Sequence, residues 1–231
     1  MRDFFTTPKE VLMNAIFRTA LLASLAFLQP GVIVNPVALP MGLSSISASG
    51  KTHAEIGIYG EIDINALSKL DLELAQISSN PPDVLIVVIN SPGGFVSEGM
   101  MMAKHLREYQ GRVVCMVDHD ALSMAFLLLQ TCQTRYIVHG GVLMAHEPAV
   151  STTERLDRYE VAKILMGLEF TAEQMLLIYA TRLSMTIDEI RERIHGQDWW
   201  MKSDEAVQFG AADQEVDSLS DGIKKALETV P

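Results

Sequence analysis

Val84-Leu85-Ile86-Val87-Val88-Ile89, running on into Asn90-Ser91-Pro92-Gly93-Gly94, decides the architecture of this chain. The run is wholly apolar and mostly β-branched. It offers water no polar side, so it reads as a strand buried on both faces, the kind found in parallel sheets covered by helices. Ser91-Pro92-Gly93-Gly94 reads as a turn, because proline and paired glycines punctuate chains.

Working outward, residues 112–117 repeat the buried-strand pattern, and 97–109 between the two runs reads as a helix. Upstream, 54–59 is a short strand ended by Gly60. Ile64, Leu67, Leu70, Leu74 and Ile77 recur at helical spacing, and Pro81-Pro82 stops that helix. Downstream, 123–130 is an apolar helix, and 135–138 and Val142–Ala145 are short strands. A long helical stretch covers 153–183, and Ile187–Ile194 is a further helix. A short one at 204–209 is closed by Gly210, in the C-terminal role glycine favours. The tail from Asp217 ends in a polar helix. Strands alternating with helices specify an α/β fold with a mainly parallel sheet and right-handed crossovers. Sites in such sheets form at the carboxyl ends of strands, which is where Gly93-Gly94, residues 119–123 and His146 fall.

The 231 residues suffice for one α/β domain and a tail. At 48% apolar and 20% charged the chain builds a packed core, and a net charge of −11 argues against a basic nucleic-acid-binding surface. Cys115 and Cys132 lack zinc-ligand spacing; Cys115 reads as a small buried hydrophobe, and nothing in the sequence demands a disulfide between the two. Residues 1–50 differ from the rest. Residues 20–39 form an apolar run broken by Pro30 and Pro36, with Arg2, Lys9 and Arg18 before it and small residues after it. Two readings stand: a signal or membrane anchor, or a pro-segment or arm that packs on a neighbouring subunit.

Acyl transfer needs an activated hydroxyl, a base beside it and donors for an oxyanion. Ser123 lies at a strand-to-helix junction, where an ordinary N-cap serine is the commoner case. His146 follows a strand, and Asp198 lies in Gly196-Gln197-Asp198-Trp199-Trp200. Each is a weak signal alone.

Together they carry a resemblance. Gly60-Glu61-Ile62-Asp63, Ile89-Asn90-Ser91-Pro92-Gly93-Gly94, Ala121-Leu122-Ser123-Met124-Ala125 and Leu143-Met144-Ala145-His146-Glu147-Pro148 follow in family order. Asp198 then comes seven residues before Glu205-Ala206-Val207-Gln208-Phe209-Gly210. From residue 54 to 216 the chain resembles the proteolytic subunit of the Clp protease (ClpP). The resemblance implies a ClpP/crotonase-like repeated β-β-α superhelix over 51–231 with a protruding handle helix at 153–183. It implies Ser123 as nucleophile, His146 as base and Asp198 as the residue orienting the base, with the Gly94 and Met124 N–H groups as the oxyanion hole. It further implies stacked homo-oligomeric rings, peptide or unfolded-protein substrates, an AAA+ unfoldase as partner and a cytoplasmic location. The run at 175–179 suits a ring interface or the core. No metal or organic cofactor is required, and there is no phosphate-binding loop for ATP.

Departures are His119-Asp120 where the family has Gly-Gln, Glu147 where it has Gln, and Trp199-Trp200 after the acid. Three rival readings remain. A crotonase-type enzyme has no need of the Ser-His-Asp set. A membrane peptidase of the signal-peptide-peptidase type would need a serine–lysine dyad, and neither Lys163 nor Lys202 sits in one. A catalytically idle ring subunit takes some weight from His119-Asp120. An exported or membrane-associated protein, with residues 20–39 at the membrane, is the alternative location.

Overall fold

The computed structural model describes residues 45–46 and 52–228; the apolar N-terminal segment expected over 1–50 lies outside them apart from one short strand. The described strands are β1 (Ser45–Ile46), β2 (Thr52–Ile62), β3 (Val84–Gly94), β4 (Arg112–Leu122), β5 (Thr134–Val138), β6 (Val142–Ala145), β7 (Trp199–Lys202) and β8 (Gln214–Val216). They form one sheet ordered β1-β2-β3-β4-β5-β8, with β6 against the upper part of β4 and β7 outside β6. The β2-β3-β4-β5-β8 pairings and β4–β6 are parallel; β1–β2 and β6–β7 are antiparallel. The expected α/β fold with a mainly parallel sheet is therefore present.

The sheet forks at β4. Val114–Val117 pair with β5, while Asp120, Ala121 and Leu122 pair with Val142, Leu143 and Met144 of β6. The fork sets two parallel strands side by side, and their carboxyl ends deliver Ser123 and His146 to one place.

Residues 84–89 are no more than 6% exposed, and alternate side chains serve two cores. Leu85, Val87 and Ile89 pack under the helices α1 (Ile64–Ile77), α2 (Val96–Glu108) and α3 (Met124–Gln130). Val84, Ile86 and Val88 face the C-terminal helix α7 (Leu219–Glu228), which supplies Ile223 and Leu227. Asp63 caps α1, and its carboxyl is held below the usual range by the Ala66 N–H first and the Asn65 side chain second.

Expectations change or open readings are decided at several points. Ser91-Pro92-Gly93-Gly94 is not a turn: β3 continues through it, pairing Gly93 with Glu61 and Gly94 with Ile62 after a register shift between Tyr59 and Glu61 of β2. The shift accommodates Pro92, which has no N–H to give a ladder. The long helix is α4 (Arg158–Ala180) rather than 153–183, because Asp157 and Glu160 form a reciprocal capping box that starts it there. On α4 only Met175, Leu176 and Tyr179 are buried, so the 175–179 run packs the core. The exposed apolar residues Tyr159, Val161, Leu165, Met166 and Phe170 lie earlier on the helix. Finally, Cys115 and Cys132 are joined by a disulfide across 5.8 Å between their Cα atoms, tying β4 to the end of α3.

The disulfide brackets the segment that displays Ser123. Arg135 holds the same end of α3, bonding Gln130 Oε1 at 2.6 Å while pairing with Asp213 from the other side. Closing a loop of this length contributes about 2–4 kcal/mol. Cys132→Ala is therefore expected to lower unfolding free energy by about that amount in oxidising buffer, and excess reductant to lower wild type similarly. Denaturant titration with and without reductant reads both.

Candidate active site

The chain leaves β4 and enters α3 through a single residue, Ser123, at φ 54 and ψ −118. Among the described residues it is the only non-glycine with positive φ. Such a conformation is strained for a residue with a Cβ and persists only where its surroundings enforce it. Two contacts enforce it here: the Ser123 N–H donates to the Met144 carbonyl at 2.8 Å, and the Leu127 N–H returns to the Ser123 carbonyl at 3.2 Å. The serine occupies the N-cap position but makes no side-chain cap. Its hydroxyl instead lies 2.7 Å from Nε2 of His146.

His146 extends β6 by one residue. Its other nitrogen, Nδ1, lies 2.6 Å from the backbone carbonyl of Glu147. A carbonyl only accepts, so Nδ1 carries the proton and donates. That fixes the tautomer and leaves the Nε2 lone pair to accept from the Ser123 hydroxyl.

Asp198 immediately precedes β7, whose Trp199 pairs with Ala145 in the antiparallel ladder. One residue beyond that last pair, the two chains carry His146 and Asp198. Both line a cavity of about 280 Å³ with Glu147, Pro148, Ala149, Ile194, Gly196 and Gln197. Within the described residues the Asp198 carboxylate makes no hydrogen bond to the imidazole. The two aromatic residues after Asp198 divide their work. Trp199 is buried edge-on against Phe209 with Arg193 stacked on it, and Trp200 is exposed.

The glycine pair reaches the same place from β3. A Cβ on Gly93 would meet the Leu122 carbonyl at 2.6 Å, Ser123 Cβ at 2.7 Å and the Met124 nitrogen at 2.9 Å, and its φ is 91. Gly94 presses on β2, where a Cβ would lie 2.3 Å from the Ile62 carbonyl. Only glycines let the two strands and the serine come this close. Buried Ser91 fixes the segment, donating to the Gly60 carbonyl at 2.6 Å and accepting from the Gly93 N–H at 3.1 Å. The Met124 N–H opens α3, where helical N–H groups have no carbonyl within the helix. A larger cavity, about 450 Å³ and lined by Arg107, Cys132, Gln174 and Arg182, borders none of these groups.

The structure thus brings Ser123, His146 and the 93–94 pair together and sets Asp198 beside them. His119 and Asp120, flagged as charges near the nucleophile, pair with each other at 3.0 Å on the exposed side of β4. Sequence reading missed the work of Ser91 and Gly93. It also missed the Glu147 side chain, which reaches His195 Nδ1 at 3.2 Å and the Gly196 N–H at 3.3 Å. The one available signal for Gly93 was its adjacency to Gly94.

A parallel α/β sheet that lifts a strained serine against a histidine from the neighbouring strand is the frame of a serine hydrolase. Comparison gives the family. The model of the Clp protease family matches residues 45–218, and the chain belongs to that family. Among curated relatives, the ATP-dependent Clp protease proteolytic subunit 2 of Tropheryma whipplei is 26% identical over 139 residues, 59% of this chain and 75% of that protein. Subunit 3 of Streptomyces coelicolor is 27% identical over 164 residues, 70% of this chain and 74% of its own length. A solved ClpP1 mutant from Listeria monocytogenes shares the fold with a TM-score of 0.65 at 18% identity, covering 72% of this chain and 92% of that one.

Gly93→Ala is expected to displace Ser123. Misplacement of about 1 Å costs on the order of 10²-fold in rate, so the variant should lose about that in peptide hydrolysis while remaining folded by circular dichroism.

Proposed function

We propose that this Clp-family peptidase hydrolyses peptide bonds through an acyl-enzyme on Ser123. The observation that carries the reading is the 2.7 Å contact between Ser123 Oγ and His146 Nε2, made by a serine held at positive φ. His146 takes the hydroxyl proton as Ser123 attacks the peptide carbonyl. It then gives that proton to the departing amine, and water repeats the sequence on the acyl-enzyme. The Gly94 and Met124 N–H groups receive the oxyanion. Asp198, on the cavity that His146 also lines, stabilises the imidazolium once it forms. The chemistry uses no metal or organic cofactor.

The active form is a homo-oligomer of stacked rings joined through α4. The exposed Tyr159, Val161, Leu165, Met166 and Phe170 suit burial against another copy. An AAA+ unfoldase feeds peptide or unfolded protein to the enclosed sites. The relatives are named ATP-dependent proteolytic subunits, and the family resemblance supports the cytoplasm as the enzyme's location. The alternative location, an oxidising compartment reached through residues 20–39, gains from the Cys115–Cys132 bond, since disulfides persist in such compartments. Among the described residues no helix is long and apolar enough to cross a membrane. Fractionation of the native source separates the two locations.

A second reading, an idle ring subunit, is favoured by one observation: the imidazole donates to the Glu147 carbonyl rather than to a carboxylate. Kinetics decide. Ser123→Ala is expected to lose at least about 10⁴-fold in kcat with assembly intact, and Asp198→Asn up to about 10⁴-fold. Wild-type turnover by Ser123→Ala would refute the peptidase assignment, and an inactive wild type would establish the idle subunit.

A further inference from the structure

The loop between α5 (Ile187–Ile194) and β7 carries Asp198 and is anchored unequally at its two ends. Its C-terminal end is fixed by the β6–β7 ladder and by buried Trp199. At its N-terminal end, His195 and Gln197 bond back to their own segment, through His195 N–H to the Arg191 carbonyl and Gln197 to the Ile194 and Arg193 carbonyls. Those bonds tie this end to α5, whose Ile190 and Ile194 are buried in the core, and not to the β6 side. Among the described residues, the hydrogen bonds fastening this end to the β6 side come from one side chain, Glu147. Its carboxylate takes the Gly196 N–H at 3.3 Å and pairs with His195 Nδ1 at 3.2 Å.

Glu147 also touches the base directly, because its backbone carbonyl holds His146 Nδ1. One residue therefore contacts the imidazole with its main chain and the Asp198 loop with its side chain. The single Nδ1–H is held by the Glu147 carbonyl, which is neutral; the Asp198 carboxylate on the same cavity is charged and, as an acceptor, stabilises imidazolium far better. Access of the carboxylate depends on where the loop is held.

We propose that Glu147 is a positioning residue that acts through Asp198: its carboxylate clasps the 195–196 backbone so that Asp198 stays beside His146. This rests on the peptidase reading and adds the element that sets its charge-stabilising partner. The Glu147–His195 contact is exposed and contributes little to stability, so the clasp is read in catalysis rather than in folding. Glutamine in place of Glu147 retains a carbonyl oxygen for the Gly196 N–H and an amide to donate to a neutral His195.

The test is a double-mutant cycle on the full chain with a chromogenic or fluorogenic peptide, monitoring kcat and KM separately. Glu147→Ala is expected to lower kcat by roughly 10–100-fold with KM changed by less than about twofold. Glu147→Gln should recover kcat to within about threefold of wild type. In the Asp198→Asn background Glu147→Ala should cost less than about twofold, because its target is already gone. His195→Ala, which removes one of the two clasped groups, should show a smaller loss with the same dependence on Asp198. It serves as the second variant should Glu147→Ala not fold. Full additivity of Glu147→Ala with Asp198→Asn, glutamine as damaging as alanine, or an Asp198→Asn enzyme at wild-type rate would each overturn the proposal. The peptidase reading fails separately, if the wild type is inactive or if Ser123→Ala keeps turning over.

Discussion

Everything in the site depends on the backbone of Ser123. A serine at φ 54 and ψ −118 cannot cap α3 with its own side chain, and its hydroxyl is turned toward β6. Strain of this kind, on the order of 1–3 kcal/mol, has to be opposed by the surroundings. The Met144 carbonyl holds the Ser123 N–H, the disulfide and Arg135 fix the far end of α3, and Gly93 leaves no slack on the remaining side. The fork in the sheet is the larger-scale expression of the same constraint. β4 must abandon β5 for β6 so that its last residue meets the histidine from the next strand.

That arrangement gives the histidine a defined tautomer without any carboxylate. The Glu147 carbonyl accepts from Nδ1, so Nε2 is already poised as an acceptor for the serine proton. What a neutral carbonyl does not supply is compensation for the positive charge that grows on the imidazole during attack. Asp198 lines the same cavity, as does Glu147, and directly precedes β7. On the proposed mechanism, base orientation and charge stabilisation are divided between a main-chain atom and a side chain, with Glu147 linking the two.

Much of the fold was legible because burial on both faces leaves a one-dimensional mark. Residues 84–89 and 113–117 are uniformly apolar, and no other setting suits them. The misread features are those where a residue type serves a tertiary purpose. Pro92, Gly93 and Gly94 are turn residues by composition, yet here they permit close approach in an extended strand. β7 is a four-residue strand with alternate residues buried, too short for its pattern to stand out from the helix before it. The disulfide depends on a 5.8 Å approach of Cα atoms that a spacing of 17 residues does not reveal. In the site, Ser123 and His146 were recognisable by motif and adjoin each other as expected. No sequence signal marks a backbone carbonyl or a loop clasp, so both parts of Glu147 escaped notice.

The central claim is that Ser123 is an activated nucleophile. The most direct measurement is covalent labelling of the purified, assembled chain with a fluorophosphonate, followed by peptide mapping. Modification of the peptide containing Ser123, absent from both Ser123→Ala and heat-denatured protein, is the expected result. A folded, assembled chain that takes up no label at Ser123 would contradict the account.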